Sequence, residues 1–379
     1  MDCRWFNTHH CHSCELLNHT YAETLLMKEK KIADLFMGHN LFLQPTVGLE
    51  KAEGSRNKAK LAVFGDSNQV QFGFYDNQAK FKDLEECPLH MEGLNELLPL
   101  LKEKLLEFKI LPYSVAEKKG ELKYLILSKS QSHGDLLVRF VLRSKESLDR
   151  LKKMAVILME EHPRIKMITA NLQPEHKAIF EGDEEIVLCG QENILHQFGN
   201  VFLTLGARSF FQVTPEIAGK LYQRVGEIVK ESKIKSFLDL FCGVGAFSYF
   251  AAQACPEVLG VEISKEAIVC ANHSKKLNQV SGEVSFLSLD VEAFLKTLDK
   301  NFDGILVNPP RRGLNLSIIH DILNQKPQVV IYSSCNCETL ARDFESFSAD
   351  YEISSTQVFD MFPYTEHFET LMIMKRRGA

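Results

Sequence analysis

An alternation of β-forming and helical segments fills the last part of the chain and most constrains its fold. Five apolar segments are separated by helical patterns, and they span 236–241, 257–262, 284–290, 303–308 and 329–334. Because parallel strands need helical crossovers and are buried on both faces, this pattern predicts a doubly wound, Rossmann-like α/β sheet. Two further strand segments, 353–360 and 369–376, have no helix between them, which predicts a closing hairpin with one antiparallel strand.

The chain before residue 201 follows a different pattern. Short strand segments alternate with helical ones, as in "VQFGFY" and "GLNELLPLLKEKLLEF", which is typical of an α+β domain. A cysteine-rich head and a helical pattern over roughly 20–37 precede this region. With 379 residues, the chain is long enough for two or three domains. We expect a head and helix over 1–45, a mixed α+β domain over 46–200 and the α/β domain over 201–379.

Composition and charge exclude several classes of protein. Hydrophobic residues make up 45% of the chain and charged residues 25%, as in ordinary globular proteins. No apolar run could span a bilayer, and the N-terminus lacks the pattern of a signal peptide. We therefore expect a cytoplasmic monomer with no membrane contact and no obligate protein partner. A net charge of −6 argues against indiscriminate nucleic-acid binding but permits a local basic face.

Polar residues follow the ends of consecutive predicted strands, where open α/β sheets bind ligands. In "DLFCGVGAF", Gly243 and Gly245 allow a tight turn and a close approach of the backbone to a ligand. Glu262 ends the next strand and can accept ribose hydroxyls, Asp290 ends the third, and Asn308 opens "NPPRRG" after the fourth. Each feature alone is equally typical of a structural turn or a solvated acid. Together they predict a pocket for an adenosine compound.

The absence of one glycine indicates which adenosine compound the pocket binds. Ser248 stands where a dinucleotide fingerprint has its third glycine, the one needed for close helix–strand packing under a diphosphate. The pocket therefore favours S-adenosylmethionine over a dinucleotide.

A thiol and a carboxylate are predicted to meet at the same edge of the sheet. Cys335 follows the fifth strand, and the antiparallel last strand begins at Glu369. A thiolate adding to C6 of uracil makes C5 nucleophilic, and a carboxylate can then remove the C5 proton. A helix beginning near Cys337 is expected to lower the pKa of Cys335. We interpret Cys337 as a packing residue and His367 as a competing candidate for the base.

Five segments resemble those of the RNA uracil-C5 methyltransferases: "SFFQ", "DLFCGVG", "VNPPRRG", "YSSCN" and "HFETL". The resemblance implies a class I S-adenosylmethionine-dependent methyltransferase domain, with Cys335 as nucleophile and Glu369 as base. It adds an amide and an aromatic residue to the cofactor set. That set is then Gln212, Phe241, Gly243, Gly245, Glu262, Asp290 and Asn308. Many members of the family have Asp before the two prolines, where this chain has Asn308.

Four cysteines outside the α/β domain form a candidate metal site. Cys3, Cys11 and Cys14 lie in the head, and Cys87 lies in "EECPLH". Ten cysteines in a cytosolic chain do not indicate a disulfide framework, whereas four thiolates can hold an iron–sulfur cluster or zinc. Their spacing does not separate these two possibilities. The resemblance, to the ribosomal branch of the family, implies a [4Fe–4S] cluster with a structural or RNA-contact role.

The RNA partner is inferred from a basic segment and from the resemblance. In "GSRNKAKL", Arg56, Lys58 and Lys60 alternate, so a strand would place them on one face, either towards phosphates or simply in solvent. The resemblance implies RNA binding by the central domain. Because Cys3 stands almost at the first residue, with no β-barrel domain before it, the resemblance also implies 23S ribosomal RNA and its uracil-747. Chemistry at C5 requires that base to be flipped out of its stack.

Three alternatives stand beside this interpretation. The chain could be a dual-site 23S rRNA or a tRNA uracil-C5 methyltransferase. "NPP" also occurs in adenine-N6 methyltransferases, but these place an aromatic residue where Arg311 stands and have no use for Cys335. A non-enzymatic iron–sulfur RNA-binding module is the third, and the presence of both Cys335 and Glu369 argues against it.

Overall fold

A computed structural model describes residues 1–76, 78–175 and 180–378. The helices are α1 (Arg4–Asn7), α2 (Tyr21–Leu35), α3 (Leu97–Glu107), α4 (Leu148–Glu161), α5 (Pro215–Glu231), α6 (Ala246–Ala251), α7 (Lys265–Lys275), α8 (Val291–Thr297), α9 (Leu316–Gln325) and α10 (Cys337–Phe347). The strands are β1 (Leu43–Val47), β2 (Lys58–Gly65), β3 (Val70–Tyr75), β4 (Phe81–Asp83), β5 (Leu122–Lys129), β6 (Leu136–Leu142), β7 (Ile165–Leu172), β8 (Glu184–Gly190), β9 (Ile194–Phe198), β10 (Val201–Leu205), β11 (Ser236–Leu240), β12 (Glu257–Glu262), β13 (Glu283–Ser288), β14 (Gly304–Val307), β15 (Val329–Ser334), β16 (Tyr351–Phe359) and β17 (Glu369–Arg376).

The chain forms two compact units that interleave along the sequence. Unit 1 comprises Met1–His12, Lys51–Gln197 and Leu205–Arg208. Unit 2 comprises Ser13–Glu50, Phe198–Thr204 and Ser209–Ala379. Helix α2 and strand β1 therefore belong with the C-terminal sheet rather than with the residues that follow them. Among the described residues, no helix is both long and apolar enough to cross a membrane.

Unit 2 contains an eight-stranded sheet in the order β1-β16-β17-β15-β14-β11-β12-β13. The five strands from β15 to β13 in this order are parallel, and β17 is antiparallel to both of its neighbours. The predicted doubly wound sheet with a closing antiparallel hairpin is therefore confirmed. Strand β1, which pairs in parallel with β16, extends the sheet and was not anticipated from the sequence.

The central strands β14 and β15 of this sheet are buried along their whole length. Every residue of β14 and β15 is buried, as expected for parallel strands that are covered on both faces. Leu238, Ile305 and Val330 from three neighbouring strands share a core with Ile32 of α2 and Leu340 of α10. This rigid layer fixes the carboxyl ends of the strands, where the candidate site lies.

Unit 1 contains a seven-stranded sheet in the order β4-β3-β2-β5-β6-β7-β8. Its neighbours are antiparallel except β6 and β7, whose parallel pairing is made possible by the crossover through α4. The core joins one face of this sheet to α3 and α4, through residues such as Leu61, Val138, Leu101 and Leu151. The mixed α+β character expected of the central region is present.

Candidate active site

The turn after β11 leaves space for a ligand beside its backbone. Phe241, Gly243 and Gly245 all have positive φ, at 62°, 55° and 82°. A Cβ atom on Gly245 would lie 2.6 Å from the ring of Phe286, so that glycine is required by packing. A Cβ on Gly243 would meet nothing within 4 Å. Open space therefore adjoins the backbone at Gly243, as a bound cofactor requires.

Glu262 lies next to this turn and is half-buried. Its carboxylate accepts hydrogen bonds from the backbone N–H of Gly243, at 3.2 Å, and of Ser264, at 2.9 Å. The first bond links the end of β12 to the turn after β11, and together the two bonds orient the acid. Ile263 follows it with 67% of its surface exposed, which is unusual for an apolar side chain beside a polar pocket. Sequence reasoning missed Ile263, although its place directly after the strand-ending acid was a usable signal.

The other predicted cofactor residues differ in their surroundings. Asp290 is exposed and caps α8, since its Oδ1 accepts the N–H of Ala293 at 3.0 Å. The hydrogen bond that Asp290 accepts in the structure therefore comes from its own helix, α8. Gln212 is buried in the segment that precedes α5. Asn308 follows β14, and its backbone N–H bonds the carbonyl of Leu240 at 3.3 Å, which places it beside the end of β11.

Glu369 and Cys335 are brought together by the pairing of β15 with β17. Ser334 lies opposite Thr370 in this antiparallel pair, so the thiol and the carboxyl occupy adjacent positions at the sheet edge. Glu369 is only 1% exposed. Ser333 Oγ donates a 2.5 Å hydrogen bond, and Asn308 Nδ2 a 3.1 Å one, to the same carboxyl oxygen. Burial raises the pKa of Glu369 to about 7, and the two hydrogen bonds limit the rise.

The thiol of Cys335 is half-buried and its pKa is raised, not lowered. Burial is the main cause and the charge of Glu369 adds to it, whereas the charge and hydrogen bond of Arg311 oppose the rise. The expectation that the following helix would lower the pKa of Cys335 was therefore wrong, because desolvation and a neighbouring carboxylate outweigh it. Arg311 is the side chain that favours the thiolate, and sequence reasoning did not assign it this role.

A cavity of about 140 Å³ opens onto the thiol. Arg311, Cys335, His367 and Phe368 are among its lining residues. The volume is several times the roughly 30 Å³ that one water occupies in the liquid, so the cavity can admit a small ring. His367 lies on the cavity wall, whereas Glu369 is the group in contact with Ser333 and Asn308.

The second cysteine of the pair has the environment of a packing residue. Cys337 is 4% exposed, and its sulfur lies 3.4 Å from the carboxylate of Glu338, to which it donates. Burial, followed by the charge of Glu338, raises the pKa of Cys337 to about 12. Lys31 of α2 forms a 2.7 Å ion pair with Glu338 on the other side. Cys337 is therefore held as a neutral thiol.

The loop before Glu369 is anchored by helix α2. Lys28 is 2% exposed and its Nζ donates to the fully buried Asp360, at 2.6 Å, and to the carbonyl of Phe362, at 3.0 Å. The hydroxyl of Tyr21 donates to the second oxygen of Asp360 at 2.6 Å. A buried ion pair with further hydrogen bonds fixes geometry strongly, because loss of either partner leaves a buried charge.

The loop that carries Arg311 is anchored by a second buried acid. Asp343 is 2% exposed and accepts hydrogen bonds from Tyr332 Oη, at 2.7 Å, and from the backbone N–H of Leu314, at 2.8 Å. Gly313 has a φ of 74°, and a Cβ there would lie 2.6 Å from side-chain atoms of Arg342 and Asp343. Gly313 is thus required for the loop to pack on α10.

The predicted metal ligands lie outside this site. Cys3, Cys11 and Cys87 belong to unit 1, and Cys14 belongs to unit 2; all four are half-buried, and none of them forms a disulfide. Burial raises the pKa of Cys87, and the charges of Cys11 and Cys3 add to the rise, so these three thiols are near one another. Across residues 1–76, 78–175 and 180–378, however, no three or more His, Cys, Asp or Glu side chains are arranged to hold a metal ion. As placed, the cysteines do not complete a cluster site.

The basic segment lies at the start of β2. Lys58 and Lys60 point to the same face of the strand, and Arg56 immediately precedes it. Burial lowers the pKa of Lys58 to about 8, with Lys60 contributing, and Lys60 pairs with Glu181 at 3.0 Å. The Nε of Arg56 is buried without a hydrogen-bond partner among the described residues. The three cations therefore share a location but differ in their access to solvent.

The fold and the arrangement of groups at its edge define an α/β methyltransferase. A family model described as tRNA (uracil-5-)-methyltransferase matches residues 20–377. The chain is 38% identical over 376 residues to the 23S rRNA (uracil(747)-C(5))-methyltransferase RlmC of Xenorhabdus nematophila, covering 99% of each chain. It is 37% identical over 379 residues to the protein of the same name from Yersinia pestis, covering 100% of both.

A solved structure gives the same result. The crystal structure of Pyrococcus abyssi tRNA (uracil-54, C5)-methyltransferase in complex with S-adenosyl-L-homocysteine is similar, with a TM-score of 0.79 and 28% identity. The similarity covers 95% of this chain and 85% of that one. The chain belongs to the tRNA (uracil-5-)-methyltransferase family.

Proposed function

We propose that the protein methylates C5 of a uridine in 23S ribosomal RNA, at the position corresponding to uracil-747, with S-adenosyl-L-methionine as methyl donor. The observation that carries this proposal is the adjacency of Cys335 and Glu369 at the sheet edge, beside a cavity that Arg311 also lines. The names of the full-length relatives support the substrate.

The cofactor set fits an adenosyl donor. The unfilled space at Gly243, the fixed carboxylate of Glu262 and the exposed Ile263 together offer a turn, a hydroxyl acceptor and an apolar surface. The bound donor supplies an electrophilic methyl group. We propose that Glu262 holds the ribose and that Asp290 meets the adenine edge. Gln212, Phe241, Gly245 and Asn308 complete the pocket.

In the proposed mechanism, Cys335 attacks C6 of the flipped uracil as a thiolate. Its pKa is raised by burial and by Glu369, so the neutral thiol dominates in the resting enzyme. Arg311 stabilises the thiolate through its charge and its hydrogen bond to Cys335. Covalent addition at C6 concentrates electron density at C5, which then accepts the methyl group.

Glu369 completes the reaction by removing the C5 proton. A buried carboxyl with a pKa of about 7 can take up a proton at neutral pH, which an ordinary exposed glutamate does less readily. Loss of that proton restores the C5–C6 double bond and expels the Cys335 thiolate. Ser333 and Asn308 hold the accepting oxygen in place during this step.

The central region, 46–200, is proposed to bind the RNA. Lys58 and Lys60 share one face of β2, and the Lys60 side chain is exposed, as phosphate contact requires. Arg56 is assigned to the same role from its position in the sequence.

The iron–sulfur cluster is proposed from the resemblance to the ribosomal branch. Cys11 and Cys3 both lie near enough to Cys87 to raise its pKa, and this supports the proposal, with Cys14 as the fourth ligand. Anaerobic purification should give brown protein with about four irons per chain, as expected for a cluster held by four cysteines. Colourless protein that contains zinc, or no metal, would contradict the cluster.

One experiment tests the reaction directly. The protein is incubated with methyl donor and 5-fluorouridine-substituted 23S fragment, in which fluorine at C5 blocks proton removal. A covalent protein–RNA adduct should form in the wild type, disappear in Cys335→Ala and survive in Cys337→Ala. The neighbouring cysteine is the matched control because it is buried as a neutral thiol. A parallel reaction with substituted tRNA separates the ribosomal from the transfer-RNA alternative.

A further inference from the structure

The helices of unit 1 pack on one face of its sheet in the part of the chain that the structure describes. This core joins α3 and α4 to the face formed by residues such as Ala59, Leu61 and Val63 of β2. The alternate residues Lys60 and Phe64 point to the opposite face and are exposed. The second face of the sheet is thus available to a partner along β2.

Five aromatic rings lie on and beside this face, and we call them the aromatic face: Phe64, Tyr75, Phe81, Tyr124 and Phe180. The rings of Phe64 and Phe81 stack with centroids 4.7 Å apart, and Tyr75 meets Phe81 edge-on at 5.6 Å. Tyr124 and Phe180 form a second contact at 4.8 Å. Burial is the main cause of the raised pKa of Tyr124, and the charge of Tyr75 adds to it. The two groups of rings therefore lie next to each other.

Three of the five rings are exposed to solvent, and Phe81 and Tyr124 are half-buried. Phe64, Tyr75 and Phe180 expose 47%, 48% and 43% of their surfaces. Among the described residues of strands β2, β3, β4 and β5, the exposed large apolar side chains are Phe64 and Tyr75, both aromatic, whereas β8 exposes the aliphatic Val187. Around β2 and β3 the exposed apolar surface is therefore aromatic, and exposed aromatic rings are the groups on which nucleobases stack.

Charge on this face points to the same partner. Lys60 lies 5.5 Å over the ring of Phe180, and Lys58 points to the same side of β2. Lys60 also pairs with Glu181, so the face is not uniformly basic. Lys58 is half-buried and burial lowers its pKa to about 8, so Lys60 is the exposed cation of the two. Stacking rings beside an exposed cation form the combination that single-stranded nucleic-acid sites use, with bases on the rings and a phosphate at the cation.

We propose that the aromatic face binds unpaired nucleotides of the RNA substrate by base stacking, at a site separate from the cavity at Cys335. The identity of the polymer rests on the proposed function. The face holds unpaired nucleotides of the same RNA, and it reads their unpaired state rather than their sequence, because every base has a π-face.

The test measures binding of fluorescein-labelled single-stranded oligouridine to the full chain by fluorescence anisotropy. Phe64→Leu and Tyr75→Leu should each weaken binding about fivefold or more, since stacking on one ring is worth at least about 1 kcal/mol. Tyr75→Phe, which keeps the ring, should retain wild-type affinity. Phe42→Leu, at an exposed phenylalanine of unit 2, is the matched control and should bind normally.

Salt dependence separates stacking from charge. The ring variants should bind more weakly than the wild type. The slope of their log affinity against log salt concentration should nevertheless be unchanged, because they remove no phosphate contact. If Phe64→Leu and Tyr75→Leu both bind the oligouridine with wild-type affinity, the proposal is overturned. Any effect of these changes on binding to another protein does not alter that conclusion. Failure of the proposed function is a distinct result, namely absence of methyl transfer in the wild type, which this titration does not measure.

Discussion

Asn308 and Glu369 are joined by a 3.1 Å hydrogen bond from the amide Nδ2 to carboxyl Oε1. The bond links the end of β14 to the start of β17, across the intervening strand β15. It places a neutral donor, rather than a second acid, against the proposed proton acceptor. The residue before the two prolines therefore helps to set the protonation of Glu369 in addition to its proposed contact with the cofactor.

Replacing Asn308 by aspartate should move the pH dependence of catalysis upwards. Asn308→Asp removes a donor and adds a like charge, and both changes raise the pKa of Glu369 above about 7. Fewer enzyme molecules then carry the ionised base at pH 7. If the pKa rises to about 8, the ionised fraction at pH 7 falls from about one half to about one tenth, so the single-turnover rate at pH 7 falls about fivefold and recovers at higher pH. Asn301→Asp, at an exposed asparagine, is the control. An unchanged pH profile would contradict the coupling.

Glu369→Gln should trap the reaction after methyl transfer. The amide can accept no proton, so the methylated uracil stays bonded to Cys335. Denaturing gels should show a protein–RNA adduct with ordinary, non-fluorinated RNA, which the wild type does not accumulate. Release of methylated RNA from this variant at the wild-type rate would remove Glu369 from the mechanism.

The same variant should alter how stability depends on pH. Because the pKa of Glu369 is about 7 in the fold, against about 4.5 when exposed, the folded state holds its proton more tightly. Stability from this group is present below pH 4.5 and is lost as pH rises through 7, by about 3 kcal/mol in total. Urea unfolding at pH 5 and pH 8 should show this loss in the wild type, relative to Glu369→Gln.

Arg311→Met should slow adduct formation more than it alters RNA binding. Without the guanidinium, burial and Glu369 raise the pKa of Cys335 unopposed. The rate of adduct formation with fluorinated RNA should fall about tenfold or more at pH 7 and recover partly at pH 9. Arg312→Met, at the exposed neighbouring arginine, is the control. If Arg311→Met and Arg312→Met form the adduct at equal rates, the role of Arg311 is confined to the structure of its loop.

Asp360→Asn should destabilise the protein and disturb the site together. The change leaves Lys28 buried without its counter-ion, which costs about 3–5 kcal/mol. The loop before Glu369 loses an anchor, so methyl transfer should fall in the molecules that remain folded. Chemical denaturation measures the first effect. Glu345→Gln, which loses only an exposed pair with His39, should leave both quantities near wild type.

Much of the α/β sheet and its polar edge could be predicted because their signals are local. Continuous apolar runs mark β14 and β15, and the polar residue after each buried strand marks the site edge. The sequence also predicted that the last strand is antiparallel. Because this strand runs opposite to its neighbour β15, its first residue, Glu369, lies next to Cys335.

The parts that were missed depend on residues far apart in sequence. Nothing near Lys28 indicates that Asp360 will meet it more than 300 residues later, and β1 carries no sign of its pairing with β16. The contact between Arg311 and Cys335 depends on how a loop packs against α10. The pKa of Cys335 was predicted in the wrong direction because helix position can be inferred from sequence, whereas the degree of burial cannot.

The division of unit 2 along the chain has a consequence for synthesis. Helix α2 and strand β1 leave the ribosome early, yet the strand and the buried acid that they pair with, β16 and Asp360, emerge only near the end. A loop of this length closes slowly and at a cost in entropy. Until it closes, the apolar surfaces of α2 and β1 stay uncovered. A nascent chain stopped before residue 369 lacks both strand β17 and Glu369, the proposed proton acceptor, so we expect no activity until both have been synthesised.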